Sequence, residues 1–455
     1  RRRAAHLACF RRPRAPVVLV FVAVLLSLLA RPVVVIVVVL VPAALAAARA
    51  VVLVVVVLVA AALLAGAVVV VAVTGFLSHA AYQPVHGRNA QVPVGQDLPL
   101  LVIGWPTSPS RLYPLTQGLP VTVGIVSRPL LLAKLWSVVP KLFALPPARS
   151  LTHALERISL LLLVGGGLFE FATGVLNVQL DYVFPGSFYP LHFYGAWVFF
   201  AAFVAHAALK APAAVRAVRG RREEREDRAD RDSRADRDDL VSPRPDAATV
   251  SRRGALWFVG AGSLLLFVTT AGQSIGGALR RTALLAPHGW ADPGGGPGGF
   301  QINKTAAYAG IDTAETGAEA WRLVVTGRDG RTVRLSRAQL LRLPLHSAAL
   351  PIACVEGWST ADQWWHGVRL RDLAALVGYD GDPPDAFVES LQRHGAFRRA
   401  ALRANQVADP RSLLALQVNG EDLAPDHAHP ARVIVPAPPP APTPHVVARI
   451  TFGAL

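Results

Sequence analysis

Residues 350–373 read LPIACVEGWSTADQWWHGVRLRDL, and Cys354 at their centre is one of only two cysteines in the 455-residue chain. The other, Cys9, lies far away in a different kind of segment, so no disulfide framework organises the protein. A lone cysteine has two readings. It is a small buried hydrophobe, the usual fate of an unpaired thiol, or it is a thiolate that ligates a metal. The residue type alone does not choose between them.

Four histidines form the second chemical pattern. His79, His153, His192 and His206 all fall at or near the ends of long apolar runs. Neutral imidazole is an ordinary haem-iron ligand. On one helix, the fourteen-residue spacing of His192 and His206 returns to within about 40° of the same face and rises about 21 Å. That is the spacing of two haems stacked across a bilayer. Alternating crossings put His153 and His206 at the same depth, where they could share a b-type haem. His192 would need its partner from His79 or from the start of the 112–133 run, which carries Pro120. The plainer reading is four interfacial, hydrogen-bonded histidines with no metal.

The elements that position these residues follow from composition. Hydrophobic residues make up 53% of the chain and charged residues 17%, a balance that points to several membrane spans. Apolar runs occur at about 17–30, 33–48, 51–77, 112–133, 158–180, 188–209 and 255–279, and the last five are long enough to cross a bilayer. Residues 1–50 are of doubtful assignment, because the chain starts at Arg1 and contains no Met. Residues 51–210 form a cytochrome-b-like helical bundle. The net charge of +16 arises largely from Arg beside apolar runs. Positive-inside topology explains it better than nucleic acid, which is not an expected partner. Lys134, Lys141, Arg149 and Arg157 place that loop inside, as do Lys210 and the many Arg of 211–253. The segment 211–253 contains RREEREDRADRDSRADRDD, a solvated cytoplasmic linker. Residues 254–280 are then an outward span, and SRRGALW at 251–257 resembles an internal twin-arginine export signal. Its plainer reading is a pair of ordinary positive-inside anchors.

From about residue 287 the composition changes, and after a Gly- and Pro-rich linker at 293–299 come short alternating segments. Strands are predicted at 322–327, 332–336, 386–391, 413–420, 431–436 and 446–452, with helical pieces at 336–342 and 369–377. Residues 300–455 therefore read as an α+β domain large enough to bury its own core.

The string LPIACVEGWS…W.GV.L.DL is similar to the cofactor loop of sulfite-oxidase-like molybdopterin oxidoreductases. That resemblance implies a molybdenum–molybdopterin cofactor with Cys354 as the single protein ligand to the metal. FQINKTAA (300–307) resembles the family's Asn-containing opening segment and implicates Asn303. DHAHPARVIVP (426–436) resembles its HGxPxRLVxP segment and implicates His427 and Arg432 at the pterin and its phosphate. Charge-assisted donors are what such an anion needs. Ser390 falls where the family has a small polar contact. Two departures stand out. Ala428 replaces a Gly, and APPPAPTPHVVARITF offers His445 and Val446 where the family has a Lys-Trp pair. The segments 117–143 and 153–159 also resemble the helical part of actinobacterial proteins of this architecture, in which a His is expected at the place of Pro120.

The expectation is a multi-domain protein: a transmembrane bundle of about five or more spans, then a sulfite-oxidase-type molybdopterin domain outside the cytoplasm. It would transfer an oxygen atom to or from a small-molecule substrate. Electrons would pass through haem b, or directly to a quinone or a redox partner protein, within the lipid bilayer. The competing class is a b-type cytochrome with a degenerate outer domain. A transporter is disfavoured, because the runs lack paired intramembrane charges.

Overall fold

The structure is a computed structural model that describes residues 48–81, 104–143, 150–177, 188–223, 252–286, 298–302, 305–354, 357–393, 398–437 and 446–453. Cys9, Asn303, His445, the apolar runs before residue 48 and most of the charged linker lie outside the described residues.

Six long helices come first: α1 (Ala48–Ala81), α2 (Leu112–Val126), α3 (Arg128–Leu142), α4 (Leu151–Asn177), α5 (Tyr189–Glu223) and α6 (Arg252–Thr270). Four described helical stretches, Ala62–Ala81, Leu151–Leu176, Tyr189–Pro212 and Arg253–Ile275, are long and apolar enough to cross a membrane. The count is five if α2 and α3 make one bent span. Large side chains such as Leu161, Phe258 and Leu264 point outward. Such a broad apolar exterior suits hydrocarbon rather than water. The run 112–133 is not one straight helix. It breaks at Ser127 and bends by 42°. Pro129 supplies the reason: it lacks an N–H and fits the first turn of the new helix rather than the interior of an old one.

α4 and α5 form a close hairpin. Glycines permit the approach, for a Cβ on Gly166 would lie 3.4 Å from Phe199 Cβ. The apolar run 255–279 also ends early as a helix. α6 stops at Thr270, the short turn α7 (Gly272–Ile275) follows, and residues 277–286 fold back so that Leu285 N–H reaches Thr269 O at 3.0 Å.

The C-terminal part is built on two five-stranded sheets. The first has the order β2-β1-β10-β5-β6, with β1 (Leu323–Thr326), β2 (Thr332–Leu335), β5 (Ala386–Ser390), β6 (Arg399–Leu402) and β10 (Val447–Phe452). Only β1 and β10 run parallel there. The second has β3 (His346–Leu350), β4 (Gln363–Arg369), β7 (Leu413–Val418) and β8 (Glu421–Asp422) in order, with β9 (Arg432–Ile434) also on β7. Period-two burial sets the facing: Leu323 and Val325 of β1 are fully buried while their neighbours are not. One core joins both sheets, from Val388 and Ile450 to Leu414 and Val433, and takes in Leu370 and Leu373 of the helix α8 (Leu370–Leu376).

The β4–β7 ladder has a tight point. Its register shifts between His366 and Gly367, and a Cβ on Gly367 would overlap the Leu414 carbonyl oxygen. Gly367→Ala is therefore expected to destabilise the domain by about 1–3 kcal/mol, the usual cost of forcing extra volume into a packed interior. A lower melting temperature of the purified full chain would show it, and an unchanged one would contradict the packing.

Candidate functional site

Cys354 sits in the connection between β3 and β4. Its thiol is buried, with 1% of the residue exposed. Backbone bonds fix the turn around it. Cys354 N–H donates to Trp358 O (3.0 Å), and Gly357 N–H donates to Cys354 O (3.1 Å). Ala353 pairs with Ser359, and Thr360 N–H donates to Ile352 O at 2.8 Å. Gly357 has a φ of +86°, a left-handed conformation natural to glycine.

The turn packs against the helices. A Cβ on Gly357 would stand 2.8 Å from Val121 Cβ of α2. Ser274 of α7 donates its hydroxyl to Gly357 O at 2.5 Å, and Ser359 N–H donates to Gln273 O at 3.1 Å. Beside them, Ala353 clusters with Ala81 at the end of α1 and with Trp105 and Tyr113. Trp105 Nε1 donates to Ala437 O (2.7 Å), and Asn405 Nδ2 to Trp105 O (3.0 Å). The ends of α1, α2 and α6 thus meet the domain on one side.

Arg432 opens β9 and is buried, 7% exposed. Its Nε has no hydrogen-bond partner, and no carboxylate pairs with it among the described residues. Burial pushes the guanidinium down to about 10. A desolvated cation without a counter-ion is costly, so this position fits an anionic group. His427 lies beside it, 2% exposed, at the end of the turn Pro425–His427. Its ring stacks on Phe300, with centroids 3.9 Å apart. His427 Nε2 lies 2.8 Å from Gly298 O, and since a carbonyl only accepts, Nε2 carries the proton. Burial holds this imidazole below the usual histidine range, and the nearby Arg432 adds to the effect. Ala428 follows with a φ of +74°, so the left-handed conformation is kept at a residue that carries a Cβ.

Phe300 and Gln301 belong to the described segment that precedes Asn303 in sequence, and Gln301 Oε1 accepts from Arg280 Nη2 at 2.7 Å. Ser390 lies on the other sheet, opposite Val447, and its hydroxyl accepts from Gln392 N–H (2.8 Å). The structure therefore brings His427 and Arg432 together and sets Ser390 on a separate sheet.

The histidines of the bundle form two groups. His192 Nδ1 lies 2.9 Å from Thr173 Oγ1 and 3.1 Å from Glu170 Oε2, so α4 holds one ring nitrogen. His79, nearly fully buried, bonds Tyr189 Oη (2.6 Å) and packs on Phe193. At the other end, His206 Nδ1 lies 3.4 Å from Ser159 Oγ. Glu156, paired with Lys210, is within electrostatic reach of both His153 and His206. Among the described residues, no three His, Cys, Asp or Glu gather as a metal-binding group. Glu170, Gln273 and Arg280 were missed in the sequence. Glu170 had a readable signal, a single acid within an apolar run.

Residues 310–454 match the family model described as "Oxidoreductase molybdopterin binding domain", so this part of the chain is a molybdopterin-binding domain. The chain is similar to the uncharacterized oxidoreductase YuiH of Bacillus subtilis, 32% identical over 116 residues. It is 33% identical over 132 residues to the protein-methionine-sulfoxide reductase catalytic subunit MsrP of Gluconobacter oxydans. It is 30% identical over 143 residues to the mitochondrial sulfite oxidase of Rattus norvegicus. Each match covers 26% of this chain, and 57%, 41% and 26% of those relatives respectively.

Burial also lowers the pKa of His429, two residues from His427. Burial favours the neutral form of both rings in the folded protein, while unfolded chains take up protons near pH 6.5. Stability should therefore be full above about pH 6.5 and be lost as pH falls from there towards the lowered native values. The slope should be shallower in His427→Gln. Melting temperatures across this range check it, and equal slopes in parent and variant would remove His427 from the account.

Proposed function

We propose that this chain is a membrane-bound molybdopterin oxidoreductase that transfers an oxygen atom to or from a small substrate outside the cytoplasm, coupled to electron transfer through its helical bundle. The observation that carries the reading is Arg432, a buried guanidinium with an orphaned Nε in a domain of the molybdopterin-binding family. In this reading it takes the pterin phosphate, with His427 beside it and Asn303 and Ser390 as further cofactor contacts. Cys354 is the protein's ligand to the metal. Molybdenum bound there would supply two-electron oxygen-atom chemistry.

The residues of the chain do the rest. The backbone bonds to Trp358 and Gly357 hold the Cys354 thiolate in one orientation. Buried Trp358 and the helix ends keep water from it. His427 holds its proton on Nε2 against Gly298 O and so presents a fixed tautomer.

Membrane anchoring is supported by the apolar helices and by charge. Arg157 Nη1 reaches Leu142 O at 3.5 Å, so the end of α3 lies beside the start of α4, and Lys134 and Arg157 fall on these two neighbouring helices. The positive-inside rule then puts the domain outside, and Arg252-Arg253 at the start of α6 suits twin-arginine export. The names of two relatives mention sulfite and methionine sulfoxide, and both compounds fall within the class of small sulfur–oxygen substrates. The electron partner is a quinone or a redox protein. His153, His192 and His206 are the residues proposed to hold b-type haem, and the Nδ1 contacts of His192 and His206 leave Nε2 for iron.

Two experiments test this reading. The purified parent should carry about one molybdenum per chain, and Cys354→Ser should abolish turnover while the fold survives. A core cysteine would behave otherwise: the added hydroxyl would cost about 1–3 kcal/mol of stability and leave activity. Iron without molybdenum would instead favour a cytochrome with a degenerate outer domain. For haem, His206→Ala should remove a b-type absorbance band, and a spectrum identical to the parent's rejects that ligand.

A further inference from the structure

The bundle carries a cation inside an apolar span that no protein anion answers. Arg128 is the first residue of α3. It lies within the bent pair, Leu112–Val126 with Arg128–Trp136, that together is apolar enough to cross a membrane. Its Nε is buried without a hydrogen-bond partner, and no carboxylate pairs with the guanidinium among the described residues. The contact it does make is with a ring: Arg128 Cζ lies 4.3 Å from the centroid of Phe171 on α4. Phe171 belongs to the apolar stretch Leu151–Leu176 and is exposed at the surface of the bundle. An aromatic face attracts a cation but does not neutralise it. A charge left inside a membrane span calls for a named partner.

Two contacts fix where along the helices this happens. Arg157 Nη1 reaches Leu142 O, and Arg128 stacks on Phe171. α3 and α4 thus run antiparallel, and the two contacts lie fourteen residues apart on each helix, about 21 Å. In the other direction Val121, which packs against Gly357, precedes Arg128 by only seven residues. Arg128 therefore stands part-way through a hydrocarbon layer roughly 30 Å thick, nearer the domain than the far end of α3. Its long stem can carry the charged head towards the headgroups on that side. The surface around it is apolar. Leu132, one turn along α3, is exposed, as are Leu168 and Val175, which share the Phe171 face of α4. Pro129 packs towards α6 instead, where a Cβ on Gly262 would lie 3.4 Å from Pro129 Cγ.

We propose that Arg128 and the outward face of α3 and α4 bind an anionic phospholipid from the leaflet on the domain side, with the guanidinium on the lipid phosphate and the acyl chains along Leu132, Leu168 and Val175. Charge and surface together select this occupant. The guanidinium needs an anion, and its fork of donors matches a phosphate. The exposed side chains beside it need hydrocarbon, and an amphiphile with an anionic head supplies both. A net negative lipid fits better than a zwitterionic one, whose own ammonium competes for the phosphate. The inference goes beyond the oxidoreductase reading and rests only on its membrane-spanning part.

The test uses the full chain purified in dodecyl maltoside and washed free of native lipid. Dioleoylphosphatidylglycerol is titrated into the micelles, and binding is read by native mass spectrometry and by melting temperature. The parent should take up one such lipid saturably and melt higher with it. Arg128→Gln should need about tenfold more lipid for the same occupancy, the effect of losing a charge-assisted hydrogen bond to the bound head. Lys134→Gln removes a charge from the same helix and should titrate like the parent. If Arg128→Gln does not accumulate, Phe171→Leu carries the same test, since it keeps the apolar face and takes away the ring under the guanidinium. Equal binding of dioleoylphosphatidylcholine overturns the proposal, because the anionic head is then not recognised. An equal rise in melting temperature with inorganic phosphate alone also overturns it, as the site then takes a free anion. So does an unchanged titration in Arg128→Gln, or an equal loss in Lys134→Gln, which reduces the effect to diffuse charge. A parent recovered in the soluble fraction without detergent overturns the membrane reading itself, and this inference with it.

Discussion

The tip of the Cys354 turn lies so close to α2 that no Cβ fits at Gly357, and the rest of the site depends on that contact. Gly357 supplies both the left-handed φ of +86° and the missing side chain that lets Val121 approach. With that approach, its carbonyl reaches the Ser274 hydroxyl, and Ser359 reaches the backbone of Gln273. The two sheets alone would leave the turn on an open edge of the domain. Helix ends bury it instead, and the same packing orients the thiol and excludes water. Placement of the cysteine is thus a property of the bundle and the domain together.

A second constraint is electrostatic. Arg432 is buried with no carboxylate partner among the described residues, so the fold carries a desolvation cost that a counter-ion would relieve. His427 is kept neutral beside it, which avoids a second buried positive charge. The left-handed Ala428 belongs to the same economy. The backbone must turn there to bring His427 onto Phe300 and Arg432 into β9, and it does so at a residue that pays about 1–2 kcal/mol for the conformation. The left-handed turn is thus kept at a residue that carries a Cβ.

Much of this was legible in the sequence, and the reasons are specific. The strands at 323–326, 332–335, 386–390, 413–418, 432–434 and 447–452 alternate or run apolar between turn residues, so period and punctuation exposed them. β3, β4, β6 and β8 were not found. HSAAL has no clear alternation, and QWWHGVR is bulged at Gly367, so their pairing is imposed by the long-range ladder to β7. The break at Ser127 was hidden because apolar composition runs across it, and only Pro129 marked it. The cysteine loop and the His427–Arg432 segment were legible through a family resemblance rather than through spacing. Ser390 was singled out by the same resemblance, and it ends β5 in the first sheet, whereas β9 belongs to the second. Gln273 had no signal, since one amide at the end of an apolar run is ordinary until its burial is known.

The bundle shows the same device as the turn, glycine spent to bring chemistry together. A Cβ on Gly174 would press His192 Cε1 at 3.3 Å, and one on Gly195 would overlap Glu170 Oε1. These absences let α4 and α5 close around a carboxyl–imidazole pair among otherwise apolar side chains. The pair also settles the geometry of the ring. With Nδ1 committed to Thr173 and Glu170, only Nε2 remains to face another group. His79 bonds Tyr189 and packs on Phe193, which lie on the turn of α5 that also carries His192. His79 is two residues from Ala81, and Ala81 packs with Ala353. A chain of packed residues therefore leads from the histidines at this end of the bundle to the residue preceding Cys354, so a change at either end bears on the other through contacts already made.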